Sequence, residues 1–164
     1  MSRLGVTPGS VFEDPADEKS WHRAQRFESV ARYYEGREPS WYAPVIRPLA
    51  GARRVLDLGC GPGLTMRALL EAGAESVVGI ERWPGFARMA APDTSVLLHD
   101  LTLPAPFLPS ASFDGVVSHF VFEYISPIGL RQVLREAHRV LAPGGRAALY
   151  LVATGTGGGD EGKT

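Results

Sequence analysis

One nine-residue run, at positions 55–63, constrains the fold of this 164-residue chain more than any other segment. It reads VLDLGCGPG, an apolar strand that leads directly into three glycines at alternate positions, and the helix-forming stretch LTMRALLEAG follows at once. Because glycine has no Cβ, such a turn lets a ligand approach the bare backbone where a helix begins. A strand, a glycine turn and a helix in this order predict an α/β fold with a nucleotide-like ligand at the turn.

The rest of the chain continues the alternation of strands and helices. Strand-length apolar runs occur at 53–58, 76–80, 95–99, 113–118 and 147–152, and helices are predicted at 64–73, at 84–90 and from Ser126 to the Pro-Gly-Gly sequence at 143–145. Strands with almost no polar residue are typical of a parallel sheet that helices cover on both faces. We therefore predict one doubly wound, mostly parallel α/β domain.

The two ends of the chain differ in composition from its middle. Residues 1–19 are polar and acidic, and residues 154–164 are rich in glycine, so the first segment is predicted to be disordered and the second flexible. Residues 20–50 are predicted to form two N-terminal helices, an amphipathic one from Ser20 and a shorter one at 41–49. The predicted domain is 20–153, with its α/β core at 53–153.

Composition excludes several classes of partner. The net charge is −1 and the basic residues do not cluster, which disfavours a nucleic acid as an electrostatic partner. Cys60 is the only cysteine, so the chain has no internal disulfide and suits a reducing, cytoplasmic setting. No run approaches the roughly 20 apolar residues that span a bilayer, and no His/Cys spacing indicates a metal site. We expect a soluble cytoplasmic protein without a membrane partner or a metal.

Three acidic residues sharpen the prediction of the ligand. Asp57 precedes the first glycine by two residues, where a carboxylate would repel a pyrophosphate and attract a ligand with positive charge. Glu81 ends the second predicted strand, 18 residues beyond Gly63, close to where doubly wound folds place the acid that binds ribose hydroxyls. Asp100 ends the third strand, one strand further out, where an adenine ring would lie. Together they predict a cationic adenosine ligand.

With these residues the chain resembles the class I S-adenosylmethionine-dependent methyltransferases of the small-molecule type, whose hallmark is D-x-G-C-G-x-G. The resemblance covers about residues 20 to 153 and includes VVGIE, HD, FDGVVSHFVFEYI and LREAHRVLAPGG. It implies a Rossmann-like sheet with strand order 3-2-1-4-5. It also implies S-adenosylmethionine as cofactor, S-adenosylhomocysteine as product, and methyl transfer to an oxygen, nitrogen or carbon atom of a small-molecule acceptor.

The resemblance also implies roles for individual residues. Asp57 and the backbone of the glycine turn would hold the methionine end, Glu81 the ribose hydroxyls and Asp100 the adenine amine. Tyr34, or Tyr33 as an alternative one residue earlier, would reach the cofactor carboxylate. The full cofactor set is Tyr34, Asp57, Gly59, Cys60, Gly61, Gly63, Glu81, Arg82, Trp83, Asp100, Leu101, Ser118 and His119.

Two residues are candidates for the chemistry itself. Methyl transfer from a sulfonium is an in-line displacement, so a protein mainly aligns the nucleophile and excludes water. A general base is needed only when the acceptor loses a proton. His119, just after the fourth strand, is the first candidate; the alternative is that it packs against or orients the cofactor. Glu123, with Tyr124, would line the acceptor pocket, or would lie on a solvated loop.

The chain departs from the family pattern after the fifth strand. The family sheet has seven strands, whereas this sequence ends about a dozen residues after strand five, without the hairpin of strands six and seven. Truncation is the favoured explanation, and a natural fragment or completion by another chain are the others. An uncovered edge would favour self-association. Two alternative functions remain: a non-catalytic or partner-completed cofactor-binding fragment, and a nicotinamide-dependent oxidoreductase.

Overall fold

Six parallel strands form one sheet in the computed structural model, which describes residues 4–6, 39–90 and 94–151. The strands are β1 (Leu4–Val6), β2 (Arg54–Leu58), β3 (Ser76–Glu81), β4 (Ser95–Leu98), β5 (Phe113–His119) and β6 (Leu141–Tyr150). Their order in the sheet is β1-β4-β3-β2-β5-β6. The five strands predicted from the sequence are β4-β3-β2-β5-β6, so the predicted order 3-2-1-4-5 is confirmed. The order reverses at β2, between β3 and β5.

The additional strand β1 corrects the prediction for the start of the chain. Residues 1–19 were expected to be disordered, yet Leu4–Val6 pairs in parallel with β4, with Leu4 opposite Val96 and Val6 opposite Leu98. The apolar LGV tripeptide occupies a sheet edge that would otherwise leave backbone groups unpaired. The rest of that segment, the predicted helix from Ser20 and the glycine-rich end at 154–164 lie outside the described residues.

Short helices connect the strands and cover the sheet. They are α1 (Ala43–Ile46), α2 (Leu64–Glu71), α3 (Pro84–Met89) and α4 (Pro127–Val140), with 3₁₀ turns at Pro39–Tyr42, Arg47–Leu49 and Phe122–Tyr124. The helix predicted at 41–49 is therefore broken into three pieces, because Pro44 and Pro48 cannot donate the hydrogen bonds of a continuous helix. In the described ranges, no helix has the length and apolar character needed to cross a membrane.

Alternate strand residues pack on opposite faces of the sheet. Val55 and Val117 lie in an apolar cluster with Met66 of α2, whereas Leu56 and Val116 lie in a second cluster with α4. Since side chains alternate along a strand, residues 57, 81 and 119 project from the face that α1, α2 and α3 cover. The sheet thus directs three predicted site residues to the same face.

The boundary between α4 and β6 differs from the sequence prediction. Strand five was expected to begin at Ala147, but β6 begins at Leu141 and a register irregularity against β5 accommodates Pro143 to Gly145. The helical periodicity predicts Leu130, Val133, Leu134, Ala137 and Leu141 on the apolar face; Val133 and Ala137 are buried, whereas Leu134 is 42% exposed. Leu134 therefore lies at the margin of the apolar face, and the rest of that face packs as predicted.

A proline-rich loop at 101–112 follows β4 and is bound to α4 by several hydrogen bonds, of which Arg139 makes the most. The Arg139 guanidinium of α4 donates to the carbonyls of Ala105 at 2.9 Å and Leu108 at 2.8 Å. It also pairs with the Glu136 carboxylate at 2.6 Å. Bidentate contacts of this kind are directional and hold the backbone that they touch. The loop lacks regular structure, as its composition predicts, but α4 determines where it lies.

Candidate active site

The glycine turn between β2 and α2 supplies an open backbone surface. Gly59, Gly61 and Gly63 all have positive φ angles, of 78°, 52° and 83°, which side-chain-bearing residues rarely adopt. A Cβ built on Gly59 would lie 2.5 Å from the Val121 side chain, whereas one built on Gly61 would meet no atom within 4 Å. Gly59 is therefore needed for close packing, and Gly61 faces open space that a ligand can occupy.

Cys60 lies between these glycines and belongs to the core. Its side chain is buried, and burial raises the pKa of its thiol well above the usual value. The Cys60 and Gly59 N–H groups donate to the Ile80 carbonyl at 3.0 and 2.8 Å. The Cys60 side chain also fills the space over Gly79, where an added Cβ would come within 2.5 Å of Sγ. Cys60 shapes the turn by packing.

Glu81, at the end of β3, binds the glycine turn directly. Its Oε2 accepts a hydrogen bond from the Gly61 N–H at 2.9 Å, and its Oε1 accepts one from the Trp83 N–H at 2.8 Å. Burial raises the pKa of this carboxyl, and the backbone hydrogen bonds oppose that shift. Each carboxylate oxygen can accept a second hydrogen bond, which leaves capacity for ligand hydroxyls.

Asp57 is the least satisfied polar group of the site. Its side chain is 1% exposed, and its Oδ2 has no hydrogen-bond partner. Burial, followed by the nearby charge of Glu81, raises the pKa of Asp57 to about 8. A buried acceptor without a partner is destabilising, and a cationic donor would relieve it and favour the ionised form. This orphaned oxygen fits the ammonium group of S-adenosylmethionine.

The outer part of the same sheet edge carries the remaining predicted residues. The His99 N–H donates to the Glu81 carbonyl at 3.0 Å, which brings the end of β4 beside Glu81. Asp100 follows, and its Oδ1 accepts hydrogen bonds from the Thr102 N–H at 2.8 Å and hydroxyl at 2.7 Å. At the start of α3, the Arg82 guanidinium carbon lies 4.9 Å from the centroid of the Trp83 ring. Leu101 is half-buried beside Asp100.

Ser118 and His119 end β5 and point in opposite directions. Ser118 is fully buried, and its hydroxyl donates to the Leu58 carbonyl at 3.0 Å, so this side chain links β5 to β2. His119 lies on the α2 face. Burial lowers the pKa of its imidazole to about 4, although the Glu123 carboxylate opposes the shift. The ring is therefore neutral and a weak base at pH 7, which favours the packing or orienting role over general-base catalysis.

Four aromatic rings surround the His119 imidazole, and the sequence did not single them out as a group. Phe120 stacks on it at 4.1 Å between centroids, and the other three lie at 5.3 to 5.4 Å in edge-on geometry. We call this the ring cluster; it consists of Trp41, Tyr42, His119, Phe120 and Tyr150. Its members are distant in sequence, so no periodicity marks them, and only the density of aromatic residues at 41–42 and 119–124 is a signal.

Of the two remaining predicted residues, one is near the ring cluster. Glu123 lies exposed on the 3₁₀ turn Phe122–Tyr124, close enough to His119 to affect its pKa. Tyr34, like its alternative Tyr33, lies outside the described residues. The structure thus brings Asp57, Glu81 and Asp100 to one edge of the sheet and places His119 next to them across β2.

Comparison with known proteins gives the family. A family described as a methyltransferase domain matches residues 56–149. An uncharacterized methyltransferase from Mycobacterium tuberculosis is 36% identical over 128 residues, which are 75% of this chain and 50% of that protein. A malonyl-[acyl-carrier protein] O-methyltransferase from Pseudescherichia vulneris is 34% identical over 111 residues, 65% of this chain and 43% of that protein.

A solved structure gives the same result. The TehB-like SAM-dependent methyltransferase from Corynebacterium glutamicum superimposes with a TM-score of 0.62 at 26% identity, covering 83% of this chain and 73% of that one. The chain spans about half the length of the curated relatives named above. The family match, the strand order and the acidic edge agree, and the chain belongs to the class I S-adenosylmethionine-dependent methyltransferases.

Proposed function

We propose that this chain binds S-adenosylmethionine and transfers its methyl group to a small-molecule acceptor. The observation that carries the proposal is the buried, unpartnered Oδ2 of Asp57 beside the open glycine turn. S-adenosylmethionine bears an ammonium that would stabilise the ionised form of the buried Asp57, whereas the pyrophosphate of a nicotinamide dinucleotide would oppose that ionisation. The charge of the site therefore favours the methyl donor over the alternative oxidoreductase.

Each part of the edge has a distinct task in this proposal. Asp57 and the carbonyl oxygens of the glycine turn bind the ammonium, since the Gly59 and Gly61 N–H groups already donate within the protein. Glu81 accepts the ribose hydroxyls, and Asp100 accepts the adenine amine. Tyr34 binds the carboxylate. When bound, the cofactor supplies a methyl carbon that is already activated by its sulfonium.

The ring cluster completes the site on the other side of β2. His119 and its aromatic neighbours exclude water from the point of transfer and orient the methionine end. Glu123 lines the acceptor side. An oxygen acceptor is one of the candidates, and the relative from Pseudescherichia vulneris is named as an O-methyltransferase.

Two further parts of the proposal concern self-association and cellular location. Among the strands that the structure describes, β6 pairs with β5 alone, so we propose that its other edge supports self-association. Size-exclusion chromatography with light scattering across a concentration series tests this, and a monomer at all concentrations would contradict it. The single cysteine, Cys60, leaves no internal disulfide and supports a reducing, cytoplasmic location.

Isothermal titration calorimetry with S-adenosylhomocysteine tests the main proposal. We expect one site per chain, no binding of NAD, and at least a tenfold loss of affinity in Glu81→Ala, since a hydrogen bond to a charged group contributes about 1.5–3 kcal/mol. Glu71→Gln, an exposed acid at the end of α2, is the matched control and should bind normally. No heat with S-adenosylhomocysteine, or equal binding of NAD, would overturn the proposal.

A further inference from the structure

We propose that the acceptor bound next to the ring cluster is an uncharged, planar aromatic compound. This inference rests on the proposed function, because it describes what that site methylates. It stands on four properties of the ring cluster: its shape, its position beside the glycine turn, its exposure, and the charge that the described residues place next to His119.

Rings from three separate elements converge on His119. Trp41 and Tyr42 come from the turn before α1, Phe120 follows β5, and Tyr150 ends β6 directly opposite His119 in the sheet. Phe120 and Tyr150 also contact each other, at 5.4 Å between centroids. Stacked and edge-on rings form flat, apolar walls that match another aromatic ring better than they match a flexible or strongly hydrated compound.

The ring cluster and the glycine turn share one wall. Val121, the residue after Phe120, lies against Gly59 so closely that a Cβ there would overlap it. Phe120 itself has a φ of +57°, a left-handed conformation that bulky residues rarely adopt, and its N–H donates to the Tyr150 carbonyl at 3.1 Å. The chain is thus held in an unfavourable conformation at the point where the rings meet the cofactor turn.

Part of this surface is open to solvent. Tyr150 is 43% exposed on the face that carries His119, whereas Leu149 and Leu151 project from the opposite face of the sheet. Exposed apolar side chains that adjoin a cleft commonly mark a binding surface. An apolar ligand that enters from this side would cover the exposed Tyr150 ring while its reactive group reaches the glycine turn.

Charge selects against ionic acceptors. Among the described residues, Glu123 is the charged side chain that acts on His119, and it would repel a carboxylate or phosphate placed there. A cation would lose its hydration on the same surface that keeps the imidazole neutral. A neutral hydroxyl has neither penalty, and the neutral imidazole can both donate to it and accept from it.

Three compounds that share one ring system test the proposal: 2-naphthol, 2-naphthoate and 2-naphthylmethylamine. Each is titrated by calorimetry at pH 7 into the full chain saturated with S-adenosylhomocysteine, so that the adenine site is closed. We expect 2-naphthol to bind about tenfold more tightly than either ion. Tyr150→Ala should weaken the binding of 2-naphthol about tenfold, because the free energy of an aromatic contact corresponds to about a factor of ten in affinity.

Controls separate the outcomes. Leu134→Ala removes an exposed apolar side chain from α4 and should change neither the affinity for 2-naphthol nor that for S-adenosylhomocysteine. Trp41→Leu tests the opposite wall of the ring cluster, and circular dichroism verifies that both cluster variants fold. Normal binding of S-adenosylhomocysteine with no preference for 2-naphthol, or no effect of either cluster variant, overturns this inference alone. Failure to bind S-adenosylhomocysteine overturns the proposed function and this inference with it.

Discussion

The two sides of β2 present different chemistry at the same edge of the sheet. The acidic side, at the ends of β2, β3 and β4, consists of Asp57, Glu81, Asp100 and the glycine turn, and it binds through charge and hydrogen bonds. The aromatic side, at the ends of β5 and β6, consists of the ring cluster and acts through packing and exclusion of water. Under the proposed function the difference is a division of labour: the acidic side would recognise the methyl donor, and the aromatic side would define which acceptor fits.

The largest expected effect tests whether burial dominates the acidic side. The pKa of Asp57 is raised to about 8, so this group is protonated in the native protein and ionised in the unfolded chain between pH 4 and 8. The native state therefore binds more protons, and stability falls as pH rises through that window. Asp57→Asn removes this dependence. Urea unfolding of both proteins from pH 5 to 9 should show the variant gaining stability relative to wild type by up to about 1.4 kcal/mol per pH unit until pH 8.

Parallel stability curves for the two proteins would mean that Asp57 is ionised in the native state. In that case the acidic side would be a solvated carboxylate cluster, and its contrast with the aromatic side would be one of charge alone.

The next effect distinguishes two uses of Glu81. Glu81→Ala removes the acceptor for the Gly61 and Trp83 N–H groups as well as that for the ribose, whereas Glu81→Gln keeps one carbonyl acceptor. We expect unfolding free energy to fall by about 2 kcal/mol in the alanine variant and by about half as much in the glutamine variant. Chemical denaturation measures both. An alanine variant as stable as wild type would show that Glu81 serves the ligand only.

Gly59 tests the junction between the two sides. Gly59→Ala places a Cβ against Val121 and strains a backbone with φ of +78°, and we expect it to destabilise the chain by about 2 kcal/mol. Val121→Ala in addition relieves the overlap but not the strain, so the double variant should recover about half of the loss. Thermal unfolding of Gly59→Ala, Val121→Ala and the double variant gives the coupling free energy between the two positions. Purely additive effects would mean that the two sides do not touch through this pair.

The smallest expected effect concerns the aromatic side. Glu123 raises the pKa of His119 against the larger effect of burial, so Glu123→Gln should lower that pKa further, by a few tenths of a unit. NMR titration of the His119 ring signals between pH 3 and 7 measures it. A midpoint near 6.5 in either protein would indicate a solvated imidazole and would restore His119 as a candidate base.

The acidic side could be predicted from the sequence because each of its residues stands next to a recognisable local pattern. Asp57 adjoins the glycine turn, and Glu81 and Asp100 each end a β-branched or apolar run. The bond between Glu81 and Gly61 was not predictable, since it depends on how β3 registers against β2. The Ser118 hydroxyl was assigned to the site from its position alone, whereas the sheet turns it inward to Leu58.

The aromatic side escaped prediction for a different reason. Its rings come from positions 41–42, 119–120 and 150, and only the three-dimensional fold makes them neighbours. The strand order was predicted from the family resemblance, and the alternation of strands and helices agrees with it, since such parallel sheets have few arrangements. Strand β1 and the early start of β6 were not, because edge pairing tolerates glycine and proline that a central strand would exclude.

The hydrogen bond from the Phe120 N–H to the Tyr150 carbonyl has a consequence for how acceptor preference changes between related chains. It fixes the end of β6 at the entrance to the proposed acceptor site, so the residues around Tyr150 lie beside the ring cluster and apart from the glycine turn. A substitution or insertion there alters the entrance without disturbing the glycine turn, Asp57 or Glu81. New acceptors can thus be selected by changing a short segment of sequence while the binding of the methyl donor stays the same.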